Sequence, residues 1–134
     1  MIEIIILLAM IECHIIDDFH IQGVLANMKQ KQWWKEHAPD KMYERDYIVT
    51  LIAHSFSWAF AIHIPCIIYA YICGSPISTL IFLVFLAFFI ACVIIHAITD
   101  HEKANLHTIN LFEDQGIHLF QIIMVWQLWI QLIQ

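Results

Sequence analysis

The chain has 134 residues, which is enough for one domain, and its formal net charge is -6. It is 61% hydrophobic and only 13% charged, whereas soluble domains are about half apolar and about a quarter charged. This composition excludes an ordinary soluble domain. The acidic balance, with no basic patch, argues against nucleic acid as a partner.

Four segments approach the length of a membrane span, which needs about 20 mostly apolar residues. The first is interrupted by Glu3 and Glu12, and the fourth contains three glutamines. The second and third are more strongly apolar, and Gly74-Ser75-Pro76 between them predicts a tight turn. We therefore predict a single all-α domain over residues 1–134, an integral membrane bundle of four transmembrane helices. The predicted spans cover residues 2–19, 47–73, 77–98 and 117–133.

The basic residues predict the orientation of these helices. Five of the six lie in the polar stretch 26–46 between the first two spans, and the sixth, Lys103, lies in the loop 99–116 after the third. Positively charged residues mark cytoplasmic loops, and in a four-span chain these two loops lie on the same side. We therefore predict that both loops are cytoplasmic and that both termini face outside. Membrane lipids are the expected partners, and a homo-oligomer is left open.

Three pairs of histidine and aspartate recur at a spacing of i, i+4, so each pair lies on one face of its helix. In the predicted topology every aspartate lies nearer the cytoplasm and every histidine one turn deeper, because the order within a pair reverses with the direction of the helix. His54 lies at a similar depth in the second span, so four helices contribute to one polar layer. The pairs are His14 with Asp18, His96 with Asp100, and Asp114 with His118.

A metal ion is a common partner that would explain this layer. Charged groups in a bilayer cost at least about 2.5 kcal/mol each on insertion scales, so they normally face the bundle interior and are paired. Neutral imidazole and carboxylate are zinc ligands, and one helix can supply two of them at i, i+4. We predict a divalent metal, zinc first and manganese second, with room for a second ion. The predicted ligands are His14, Asp18, His54, His96, Asp100, Asp114 and His118.

Residues beside these pairs predict the chemistry around the metal. Lys103 lies one turn past Asp100, where it would neutralise an aspartate or hold an anionic substrate. In a hydrolase one aspartate would act as general base and the lysine would stabilise negative charge. The predicted catalytic residues are therefore Asp18, Lys103 and Asp114, and Asp17 is expected only to flank the site. The predicted hydrogen-bonding partners of the ligands are Gln22, Asn105 and Gln115.

The order and spacing of these motifs resemble a family of small multi-helix membrane proteins of phages and bacteria, whose function is not established. The resemblance covers almost the whole chain and implies a multi-pass protein of the bacterial inner (cytoplasmic) membrane, often phage encoded. A looser similarity to membrane-bound metal-dependent hydrolases suggests hydrolysis by analogy. The matching motifs are His14-x3-Asp18-Phe19-x2-Gln22, Lys29, His54, His96-x3-Asp100-x2-Lys103 and Asp114-Gln115-x2-His118.

Three functions fit the predicted layer, and whether the chain is an enzyme is left open. The first is an intramembrane metal-dependent hydrolase with its site at the cytoplasmic face, acting on a lipid-like or membrane-proximal substrate. The second is an ion or proton transporter or channel that uses the same layer. The third is a phage membrane factor, holin-like or interacting with the host, in which the layer only joins helices. The position of the layer at one face argues against transport, and the matched depths argue against a purely structural role.

Overall fold

Helices account for nearly all of the structure, a computed structural model that describes residues 1–75 and 78–133. The first α-helix is continued by a π-helical segment, Ile16–Ile21, and the fifth α-helix by a second one, Glu102–Leu106. A 3-10 turn, Lys41–Tyr43, precedes the fourth α-helix. The described ranges contain no strand, so the predicted all-α class is confirmed. The α-helices are α1 (Ile2–Ile15), α2 (Leu25–Met28), α3 (Lys31–His37), α4 (Asp46–Ile72), α5 (Thr79–His101) and α6 (Leu111–Ile133).

The four long helices pack into one bundle, in which α1 and α5 each contact both α4 and α6. Each helix buries residues spaced three or four apart, as expected for one inward face. Along each of these faces the buried side chains change from apolar to polar toward the same end of the bundle. The apolar part consists of Ile6, Met10, Trp58, Ala59, Ile62, Cys66, Ala70, Phe89, Cys92, Ile122, Val125 and Trp129.

Two helical stretches within the described residues are long and apolar enough to cross a membrane, Lys41–Ile72 and Thr79–Leu106. They overlap the second and third predicted spans, 47–73 and 77–98. The helices α1 and α6 overlap the first and fourth predicted spans but are more polar, because α1 carries two glutamates and α6 four glutamines. Two possible spans are therefore shown, and the four-span bundle stays a prediction.

The turn predicted after the second span forms the C-terminal cap of α4. Gly74 has a φ of 63°, the left-handed conformation that glycine adopts without a steric penalty. Its N–H donates to Tyr71 O at 3.1 Å, and the N–H of Ser75 donates to Ala70 O at 3.1 Å, which is the Schellman pattern. Pro76 of this turn and Ile77, the first residue of the third predicted span, lie outside the described residues.

The predicted loop 99–116 is mostly helical. The fifth helix and its π-helical continuation run to Leu106, and α6 begins only a few residues later. Asn110 caps α6, since its Oδ1 accepts the N–H of Glu113 at 3.1 Å while Glu113 Oε2 accepts the N–H of Asn110 at 2.8 Å. Asp100 and Lys103 therefore lie on one continuous helical stretch, and Asp114 lies in the first turn of the next helix.

Candidate metal centre

The structure brings all seven predicted ligands together at the polar end of the bundle. Six of them are buried, and the side chain of the seventh, Asp18, is only 6% exposed. His96, Asp114 and His118 have no exposed surface at all. The four long helices, together with the π-helical segment after α1, thus converge on one cluster of imidazole and carboxylate groups.

Three of these side chains form a group with the separations expected around one metal ion. Nε2 of His54 lies 3.1 Å from Nε2 of His96 and 3.2 Å from Oδ1 of Asp18, and the last two atoms are 3.9 Å apart. Zinc bonds of about 2.0–2.1 Å in a tetrahedral site imply ligand separations of about 3.4 Å. The group Asp18, His54 and His96 is therefore suited to hold a metal ion.

Asp100 borders the same position. Its Oδ2 lies 3.5 Å from Nε2 of His54 and 3.7 Å from Nε2 of His96, close to the separations within the first three residues. The same oxygen accepts a hydrogen bond from Nζ of Lys29 at 2.7 Å. Asp100 thus adds a carboxylate beside the two imidazoles, and imidazole with carboxylate is a donor set typical of zinc or manganese.

A second group shares His96 with the first and adds Asp100 and His118. Nε2 of His118 lies 3.8 Å from Oδ1 of Asp100 and 3.4 Å from Oδ1 of Asp114. Neither Nε2 of His118 nor Oδ1 of Asp114 has a hydrogen-bond partner, although both are buried. Buried polar atoms are nearly always paired, so these two atoms require an explanation.

His14 lies in the cluster, but both of its ring nitrogens already have partners. Nδ1 accepts the indole N–H of Trp58 at 2.8 Å, and Nε2 lies 3.0 Å from Oε1 of Gln115. Because the indole is only a donor, Nδ1 provides the lone pair and Nε2 carries the proton. His14 therefore supports the cluster through hydrogen bonds, and neither of the two metal-binding groups includes it.

Gln115 links three members of the cluster. Its Oε1 faces His14, while its Nε2 donates to Oδ2 of Asp18 at 3.3 Å and to Oδ2 of Asp114 at 3.0 Å. One amide thus fixes the orientation of two carboxylates and one imidazole. Gln22, one turn after Asp18, donates to Oδ1 of that aspartate at 3.2 Å. Both glutamines therefore lie where the sequence predicted hydrogen-bonding partners of the ligands.

Lys103 forms a close ion pair with Asp114, its Nζ lying 2.6 Å from Oδ2. The lysine side chain is 34% exposed, whereas that of Asp114 is 1% exposed. Burial raises the pKa of Asp114, but the neighbouring His118 at 3.4 Å and the hydrogen bonds from Lys103 and Gln115 outweigh this effect and hold the pKa below its usual value. Asp114 therefore carries its negative charge inside the protein.

Three residues outside the predicted ligands and their predicted hydrogen-bonding partners support His54 and His96. Oδ1 of Asp17 accepts the hydroxyl of Ser57 at 2.7 Å, and its Oδ2 lies 3.6 Å from Nδ1 of His54. This carboxylate is positioned to orient the imidazole with Nε2 toward the cluster. Trp58 stacks on His96 with ring centroids 4.3 Å apart. Ser57 and Trp58 follow His54 by three and four residues, and this helical spacing is the signal that would have identified them.

Lys29, which belongs to the motifs of the resemblance but not to the predicted site residues, is buried and paired with Asp100 at 2.7 Å. Asn105 holds the backbone around it, donating to Lys29 O at 3.0 Å and accepting the N–H of Lys31 at 2.7 Å. The predicted role of Asn105 is thus indirect, since it positions a lysine. No local pattern distinguishes Lys29 from the other basic residues of the polar stretch.

A cavity of about 320 Å³ opens beside the cluster. Asp18 and Asp100 form part of its wall, and Lys29 and Lys103 line it as well. A small anionic group placed there would meet two ammonium groups and two of the candidate ligands. The remaining wall consists of Phe19, Gln22, Ala26, Gln30, Ala104, His107 and Gln115.

Comparisons of the chain with models of protein families, with curated proteins and with solved structures found no match. The similarity to phage and bacterial membrane proteins therefore stays a prediction. Fold and site define a helical protein with two possible membrane spans and groups of histidine and aspartate that could hold a metal ion.

Proposed function

We propose that the chain is a four-span membrane protein and a metal-dependent hydrolase, acting at the cytoplasmic face on a lipid-like or membrane-proximal substrate. The observation that carries this proposal is the buried cluster of histidine and aspartate beside a cavity lined by two lysines. A cluster that only joined helices would need neither the cavity nor the lysines. Zinc is the first candidate for the metal and manganese the second.

The surface of the bundle supports the proposal of four membrane spans. Large apolar side chains are exposed on all four long helices, far more than the isolated positions seen on soluble proteins. Asp17 and Asp18, the charged groups at the end of the first predicted span, contact His54 in the cluster. Examples of the exposed residues are Ile5, Leu8, Ile52, Phe56, Phe60, Leu83, Ile90, Ile94, Phe120 and Ile123.

The orientation can be tested by labelling two engineered cysteines, Ser75→Cys and Lys35→Cys, in a background without the native cysteines. An impermeant thiol reagent added to spheroplasts is expected to label position 75 only, because the proposed topology has the basic loop inside. Permeabilised cells serve as the control and should label both positions. Labelling of position 35 alone would invert the topology.

The core beside the cluster favours hydrolysis over transport. Beyond His14 and His118, the buried faces of the described residues are mainly apolar, with Met10, Ile62, Ile122 and Val125 among them. A conduction path needs polar groups or a water-filled pore across the whole span. The cluster lies at one end of the bundle, as a site that meets its substrate at the membrane surface requires.

The residues have distinct roles in the proposed reaction. When bound, the metal would polarise a phosphoryl or carbonyl oxygen and lower the pKa of a water molecule. Asp18 lines the cavity and is the general base that removes a proton from the attacking water. Lys103 stabilises negative charge on the substrate, and Asp114 positions Lys103 through their ion pair. The water oxygen joins the phosphorus or carbonyl carbon, the ester bond breaks, and the leaving oxygen takes up a proton.

Lys103→Ala is expected to separate metal binding from activity. The purified, zinc-loaded protein would be assayed with phosphatidic acid in mixed micelles, and with a neutral carboxylic ester as a second substrate. Loss of a group that stabilises transition-state charge should lower kcat by about 100-fold or more. The metal content should stay at the wild-type value, because Lys103 contacts Oδ2 of Asp114 and leaves Oδ1, the oxygen without a hydrogen bond, unchanged.

Lys35→Ala is the matched control, since Lys35 is exposed on α3 and does not line the cavity. It should retain both metal and activity. A metal-loaded wild type that hydrolyses neither class of ester would count against the proposed hydrolase. Full activity in Lys103→Ala would remove the assigned role of the lysine.

A further inference from the structure

We infer that the cluster holds a second divalent cation between Asp100, Asp114 and His118, so that the hydrolase has a two-metal centre. This inference rests on the proposed function and deepens it. Asp100 lies between the two positions, because its Oδ2 faces His54 and His96 at 3.5 and 3.7 Å while its Oδ1 faces His118 at 3.8 Å. A carboxylate with one oxygen toward each position is suited to bridge two metal ions.

Two unpartnered atoms mark the second position. Nε2 of His118 and Oδ1 of Asp114 are 3.4 Å apart, and both residues have no exposed surface. Nδ1 of His118 lies 3.4 Å from Oε1 of Gln121, whose Nε2 donates to Cys92 O at 3.3 Å. An amide oxygen only accepts, so Nδ1 carries the proton and Nε2 is free to bind a metal.

A cation satisfies this arrangement better than a second proton on His118 does. A proton on Nε2 would serve one carboxylate oxygen at a time. A cation among the three atoms would be bound by the imidazole of His118 and by one oxygen each of Asp100 and Asp114. The lysines stabilise the opposite oxygens, since Lys29 donates to Oδ2 of Asp100 and Lys103 to Oδ2 of Asp114.

The charge of the cluster connects the second cation with the class of substrate. With neutral histidines, four aspartates and two lysines give a formal charge of -2. One divalent cation neutralises this charge, and a second leaves a double positive charge that matches a phosphate dianion in the adjoining cavity. Paired metals about 3.5–4 Å apart are typical of phosphatases, so the geometry points to a phosphate ester as the substrate. The charged residues are Asp17, Asp18, Asp100, Asp114, Lys29 and Lys103.

The test is a titration of the detergent-solubilised full chain with Mn²⁺ in the presence of inorganic phosphate. Free manganese is followed by electron paramagnetic resonance, which also detects magnetic coupling between paired ions. The wild type should bind two equivalents and show the coupled signal. Asp114→Asn, which keeps the shape of the side chain, and His118→Ala should each bind one equivalent without coupling. His20→Ala, an exposed histidine outside the cluster, should behave as wild type.

The outcomes separate this inference from the proposed function. Suppose that the wild type binds only one equivalent of Mn²⁺, and that this equivalent is lost in His54→Ala but kept in Asp114→Asn. This result would overturn the second site and leave a single-metal hydrolase. Binding of no manganese or zinc by the folded wild type would overturn both. Tryptophan fluorescence identifies a variant that fails to fold, and Asp114→Asn then replaces His118→Ala as the decisive variant.

Discussion

Replacing His96 with alanine is expected to remove most of the bound metal. Among the described residues, His96 is the only histidine that belongs to both candidate metal-binding groups. Loss of a residue that only supports a ligand typically costs about 10–100-fold in metal affinity, so loss of this ligand should cost at least about 100-fold. Elemental analysis of the purified protein and a zinc titration would measure the effect.

Two further variants make this result specific. His96 packs between Trp58 and His118, with ring centroids 4.3 and 4.1 Å away, so alanine leaves a gap. His96→Gln fills much of that gap and should lose metal while keeping the fold. His20→Ala changes an exposed histidine and should keep the metal. Wild-type metal content in the folded His96→Ala protein would exclude both groups as the metal site.

The helices and the members of the cluster could be predicted because both depend on local spacing. A buried face repeats every three or four residues along a helix, so His96 and Asp100 had to share one face. The alternating direction of the helices then placed the pairs at one end of the bundle. The convergence of residues as distant in sequence as Asp18 and Asp114 follows from these two rules together.

The detailed role of each side chain could not be predicted in the same way. Spacing places His14 on the inward face, but it does not show that Trp58 and Gln115 occupy its two nitrogens. Nor does α-helical spacing account for the region after α1, where a π-helical segment carries two consecutive aspartates. Asp17 and Asp18 both reach His54 from there, at Nδ1 and Nε2 respectively. Such local irregularities are frequent at functional sites.

The buried position of Lys29 depends on tertiary structure alone. The segment that carries it is held by Asn105 at the end of the fifth helix and by Thr50, which donates to Met28 O at 2.7 Å. The basic character of this stretch predicts the topology, and the motifs of the resemblance include Lys29. Neither shows that one of the five basic residues turns inward to pair with Asp100.

Lys29→Met is therefore expected to destabilise the metal-free protein strongly. The side chains of Lys29 and Asp100 are only 11% and 3% exposed, so methionine would leave a buried carboxylate without its ammonium partner. Removing one partner of a buried ion pair costs about 3–5 kcal/mol in the free energy of unfolding. Unfolding in mixed micelles, followed by tryptophan fluorescence with a chelator present, would measure the loss.

Saturating zinc should reduce that loss, because a cation beside Oδ2 of Asp100 replaces the missing positive charge. Zinc would then stabilise the Lys29→Met protein more than the wild type, since a ligand that binds only the folded state adds its binding free energy to stability. Lys35→Met, an exposed change on α3, should stay within about 0.5 kcal/mol of wild type under both conditions. If Lys29→Met loses the same free energy of unfolding with and without zinc, Asp100 does not share its charge with a metal. The ion pair would then be a purely structural contact, and the first metal position would have to be built without that carboxylate.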